Sequence, residues 1–67
     1  MTEACKAVID YCYKDGKPVS IRPIINDKVT INGLTFKFTE ELLEELSASG
    51  KVKVGTIIRG AVRITGI

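Results

Sequence analysis

Asn32-Gly33 sits between two alternating runs, Lys28 to Ile31 and Leu34 to Lys37, and nothing else in the chain restricts its fold as strongly. Both turn residues tolerate positive φ, which favours a two-residue type I′ hairpin. That turn places Ile31 opposite Leu34 and Val29 opposite Phe36 on one face. Thr30 then faces Thr35, and Lys28 faces Lys37, on the other. One face is wholly apolar and the other wholly polar. A slip of one residue would exchange them, so the register is specified.

The segments around this hairpin read as helices. Thr2 is a suitable N-cap and Glu3 complements the helix dipole. Cys5, Val8, Ile9 and Cys12 recur at helical spacing and make one apolar stripe. Lys14 is expected in the last turn, with Gly16 as the left-handed residue that ends the helix. Tyr11 and Tyr13 flank the stripe and are expected to keep their hydroxyls in water. Downstream of the hairpin, Thr39 caps a second helix with Glu40 and Glu41 in its first turn. Phe38 and Leu43 form a hydrophobic staple across the cap. Leu42, Leu43 and Leu46 make the buried stripe, and Gly50 ends the helix.

Two further segments read as extended. Val19 to Ile25 alternates after Pro18, and Pro23, which has no N–H, places it at a sheet edge or breaks it. Lys51 to Ile67 reads as a second hairpin. A three-residue loop of Arg59, Gly60 and Ala61, with a bulge, would put Val52, Val54, Thr56, Ile58, Val62 and Ile64 on one face. Lys51, Lys53, Ile57, Arg63 and Thr65 would take the other, with a kink possible at Gly55. The order is N-terminal helix, edge strand, β-hairpin, helix, C-terminal β-hairpin. This predicts one α+β domain over residues 1–67, a two-layer sandwich with both helices on one face of the strands.

A chain of 67 residues buries only about 60% of the surface its unfolded form exposes. Domains this small commonly gain stability from a disulfide, a metal or another subunit. Cys5 and Cys12 are roughly 10 Å apart along a helix, beyond disulfide reach. With no histidine in the chain, they fall short of the ligands zinc needs. They are expected to be buried apolar side chains in a reducing, cytoplasmic setting. The N-terminus lacks the pattern of a signal peptide, and no apolar run is long enough to cross a membrane.

No catalytic, cofactor or metal site is expected. Histidine is absent, the serines have no evident partner, and burial makes a mid-helix thiol inert. Glu40, Glu41, Glu44 and Glu45 read as a cap and a solvated face. No glycine pair is followed by the lysine and helix of a phosphate-cradling loop. Charge is nonetheless sorted. If both hairpins share a sheet, Lys28, Lys37, Lys51, Lys53 and Arg63 lie on its solvent face without an acid, beside Thr30, Thr35 and Thr65. Arg59 stands at the loop tip.

These six cations are the candidate binding surface. Lysines on exposed strands also discourage aggregation, so the face serves either binding or solubility. The expected function is a non-enzymatic protein–protein or regulatory module, acting on a protein partner or as a homo-oligomer. The alternative is weak nucleic-acid binding through the basic face and the C-terminal loop. A helix before a basic hairpin has the order of a winged helix, but the four glutamates of the second helix would repel phosphate. The sheet face also offers no aromatic side chain for stacking bases. No membrane partner is expected.

Overall fold

The computed structural model describes residues 2–13 and 16–67. The expected position of Lys14 lies outside them. The chain is an α+β fold of two helices and five strands: α1 (Glu3–Cys12), β1 (Ser20–Ile21), β2 (Lys28–Ile31), β3 (Leu34–Lys37), α2 (Glu40–Ser49), β4 (Val52–Val54) and β5 (Ile64–Gly66).

Both helices begin as their capping residues dictate. The Cys5 amide donates to the Thr2 hydroxyl, and the Leu42 amide to that of Thr39, each at 3.2 Å. Each bond satisfies an amide that the helix itself leaves unpaired. Gly50 ends α2 in the left-handed conformation. α1 ends at Cys12, and Tyr13 is its C-cap. The chain then returns, so that the Val19 amide donates to the Cys12 carbonyl at 2.9 Å.

The hairpin at Asn32-Gly33 has the register its residues demand. Lys28 pairs with Lys37, Val29 with Phe36, Thr30 with Thr35 and Ile31 with Leu34. The two threonine hydroxyls bond at 2.9 Å on the outer face. The inner apolar stripes close over one core. It comprises Cys5, Val8, Ile9 and Cys12 from α1, Leu42, Leu43 and Leu46 from α2, and Phe38, Val52, Val62 and Ile64. Phe38 is fully buried and meets Phe36 in a tilted pair with centroids 5.4 Å apart. Burial of one such side chain contributes about 1.5–3 kcal/mol.

The two hairpins do not share a sheet, which corrects the condition placed on the basic face. β2 and β3 form a two-stranded sheet, and β1, β5 and β4 form a separate antiparallel sheet in that order. The physical reason lies in the turn between them. Asn26 adopts φ 69 and its amide donates to the Phe38 carbonyl at 2.7 Å, which closes the base of the β2–β3 hairpin on itself.

β1 is an edge strand, as expected from Pro23. Its pairing with β5 continues beyond the regular strand. Ser20 faces Thr65, Ile21 faces Ile64 and Ile24 faces Ala61, in one unbroken register. The Val19 and Pro23 carbonyls accept from the Gly66 and Val62 amides, and the Ile25 amide donates to the Gly60 carbonyl. Pro23 takes a position whose N–H would face β5, so the ladder loses a bond there and the strand is interrupted.

The C-terminal hairpin differs in its loop. Ile58 pairs with Ala61, closing a two-residue turn in which Arg59 has φ 53 and Gly60 φ 78. These are the left-handed conformations of a type I′ turn. β4 pairs with β5 as Val52–Gly66, Lys53–Thr65 and Val54–Ile64. Between the two pairings, Gly55, Thr56 and Ile57 oppose only Val62 and Arg63. That bulge absorbs the odd residue. It keeps Val52, Val54, Val62 and Ile64 on the inner face despite the shorter loop. It also turns Ile58, expected inside, to the outer face, where it is 64% exposed.

Tyr13 departs from expectation as well. Its hydroxyl lies 2.5 Å from the carbonyl oxygens of both Lys51 and Ile67 and donates its proton to one or the other. It therefore ties the end of α1 to the end of the β4–β5 ladder. Among the described residues no helix is long and apolar enough to cross a membrane.

Candidate binding face

The outer face of the three-stranded sheet follows from its register. Because Val19, Pro23 and Ile25 make the backbone bonds to β5, the pairs Ser20–Thr65, Arg22–Arg63 and Ile24–Ala61 are the non-hydrogen-bonded ones. Opposed residues approach most closely there, with Cα atoms roughly 4.5 Å apart. The Ser20 and Thr65 hydroxyls, 2.9 Å apart, bear this out.

Adding β4 extends these pairs into three rows. Lys53, Thr65 and Ser20 make the first row. Gly55, Arg63 and Arg22 make the second, with the Gly55 amide donating to the Arg63 carbonyl at 2.8 Å. Ile58, Ala61 and Ile24 make the third. Arg59 stands at the turn beyond it. No acid occupies any of these positions.

This face is open and partly apolar. Ile24 and Ile58 are 50% and 64% exposed at one end of it. With Arg22, Arg59, Arg63 and the backbone of Gly55 they line an open groove of about 910 Å³. A second depression of about 490 Å³ continues past Lys53 and Thr65 toward Ile67. Gly55 lines both. A side chain there would begin 3.7 Å from Arg63 Cβ, so its absence leaves the flank of Arg63 clear.

Of the six cations singled out from the sequence, Lys53, Arg59 and Arg63 come together here. Lys51 precedes β4 at the end of the same sheet. Lys28 and Lys37 oppose each other on the separate β2–β3 hairpin. Arg22 was missed. Its alternation with Ser20 and Ile24 marks it as outward-facing, but only the order β1-β5-β4 sets it opposite Arg63.

The other chemistry-bearing groups lie apart from this face. Cys5 and Cys12 are free thiols with no exposed surface. Burial pushes both thiols above their ordinary value, and the negative charge of Glu45 adds to the effect at Cys5. Glu45 accepts from the Thr2 amide at 2.7 Å and from the Thr2 hydroxyl at 2.8 Å. These bonds, the backbone one first, hold its carboxyl below the usual range. Among the described residues no group of three or more acids and thiols is placed to hold a metal ion. The chain matches no protein-family model, no curated protein and no solved structure.

Proposed function

We propose that this protein is a non-enzymatic binding module whose outer sheet face meets an acidic, partly apolar segment of another protein. The observation that carries the reading is the pairing of Arg22 with Arg63 at the closest-approach position of the ladder. Like charges directly opposed destabilise a free sheet. Guanidinium pairs are well suited to carboxylates, which they grip through two parallel hydrogen bonds. Ile24 and Ile58 beside them supply apolar surface of the kind that anchors protein interfaces. Guanidinium and isoleucine side chains supply charge and apolar contact for recognition, and no histidine or acid stands in these rows to activate the Ser20 and Thr65 hydroxyls.

A nucleic-acid backbone is the competing anion, and the face lacks the aromatic rings that hold single strands. Fluorescence anisotropy separates the two. A labelled peptide alternating glutamate with leucine should bind the wild-type chain and lose at least about tenfold in affinity with Arg63→Glu. A labelled oligonucleotide should bind more weakly than the peptide at physiological salt. Tight oligonucleotide binding with a steep salt dependence would assign the face to nucleic acid instead.

A further inference from the structure

We propose that the outer edge of β1 takes up an extended strand of the partner, run antiparallel, with an acidic side chain opposite Arg22. This rests on the reading of the outer face as a protein-binding surface and specifies how the partner is held.

The register leaves this edge unpaired. Val19, Pro23 and Ile25 bond to Gly66, Val62 and Gly60 on the β5 side. Alternation then aims the N–H and C=O groups of Ser20 and Arg22, and the N–H of Ile24, away from the sheet. β1 is the last strand in its order, and among the described residues no backbone or side-chain group bonds these. The Ile24 carbonyl already accepts from the Asp27 amide at 3.2 Å, which ends the edge there. Pro23 does not interrupt it. The N–H that proline lacks would have faced β5, so the outer side keeps all its donors.

The edge is also open. Ser20, Arg22 and Ile24, which carry its free groups, are all exposed. Ile21 lies between Ser20 and Arg22 with its side chain on the inner face, and it is only half-buried, so neither face is closed over at this point. A row of unpaired strand groups on exposed residues is a template for another strand.

The three rows of the sheet select that strand. A residue opposite Arg22 would extend the row of Gly55, Arg63 and Arg22, where a carboxylate supplies the partner that the paired guanidiniums lack. A residue opposite Ser20 would extend the row of Lys53, Thr65 and Ser20, which favours a hydroxyl. One opposite Ile24 would extend the row of Ile58, Ala61 and Ile24, which favours an apolar side chain. On the inner face, a β-branched apolar residue opposite Ile21 would cover its open flank.

A second copy of this chain is the wrong occupant. The antiparallel β1–β1 pairing that used all the free groups of both edges would set Arg22 against its own counterpart, with Arg63 beyond each. Like charges so opposed resist that contact and leave the edge to a strand of opposite charge.

The test uses the whole ¹⁵N-labelled chain and a soluble peptide of about nine residues, reading leucine, valine, glutamate, valine, threonine at its centre. Amide exchange at Ser20, Arg22 and Ile24 should slow at least roughly tenfold on saturation. N-methylation of the central glutamate, whose amide faces β1, should weaken binding by about tenfold or more, and N-methylation of either valine, whose amides face away, by less than about threefold. Arg22→Glu, an exposed substitution, should shift preference to a peptide with lysine in place of the glutamate. Binding that moves the Arg59 and Arg63 side-chain signals while the Ser20, Arg22 and Ile24 amides exchange at their free rates would overturn strand addition and leave the outer-face reading intact. Protection of these amides by self-association without peptide would overturn the choice of partner. Absence of binding by this peptide and by the glutamate–leucine peptide, each up to about 1 mM, would remove both readings.

Discussion

Arg22 faces Arg63 across the β1–β5 ladder, at a position where opposed side chains come closest and no acid intervenes. In the free protein this pair is a cost. Arg22→Glu should therefore stabilise the fold by about 0.5 kcal/mol while weakening an acidic partner. Urea unfolding at low salt measures the gain, which should shrink as salt is added.

Arg59 holds φ 53 in a type I′ turn where asparagine is favoured. A left-handed conformation costs a side chain of this kind about 1 kcal/mol. Arg59→Asn should recover most of that in thermal unfolding and at the same time remove a cation from the mouth of the groove. A loss of stability would show that the Arg59 side chain makes supporting contacts.

The Tyr13 hydroxyl bridges toward Lys51 and Ile67, joining α1 to the last rung of the β4–β5 ladder. Tyr13→Phe should cost about 1 kcal/mol with the circular dichroism spectrum unchanged. Faster amide exchange at Ile67, with the β2–β3 hairpin unaffected, would localise the loss.

Gly66 is a site of close approach. A Cβ there would lie 2.7 Å from the Cys12 carbonyl oxygen. Gly66→Ala should cost about 2 kcal/mol or more, because backbone on both sides must shift. Gly55→Ala is the control. Its added carbon meets the Arg63 carbonyl at 3.3 Å, and the cost should stay below about 1 kcal/mol.

Glu45 ties α2 to the start of α1 through Thr2. Its carboxyl is held below the ordinary value, so the unfolded chain binds a proton more readily than the folded one. That contribution is complete above the unfolded value and is lost as pH falls through the folded one. Glu45→Gln should flatten the acid limb of stability against pH. An unchanged slope would mean that the carboxylate is not held by Thr2 in solution.

What could be read from the sequence was local. Asn32-Gly33 and the alternation around it determine four cross-strand pairs, because turn chemistry and burial agree. Thr2 and Thr39 announce their helices for a similar reason. The long-range relations were hidden. Arg22 and Arg63 are brought together only by the strand order β1-β5-β4. The two-residue turn at Arg59-Gly60 was obscured because arginine is not a left-handed residue by preference, and because the compensating bulge at Gly55 to Ile57 leaves the facial pattern of β4 and β5 undisturbed. The separation of the sheets depends on the left-handed Asn26, which alternation alone does not signal.

The binding role of the outer face is tested most directly by the side-chain Nε–H resonances of Arg22, Arg59 and Arg63 during titration with the glutamate–leucine peptide. We expect the three to shift together along one binding curve, with Lys28 and Lys37 on the other hairpin unmoved. Shifts confined to Lys28 and Lys37, or three arginines that stay still at saturation, would contradict it.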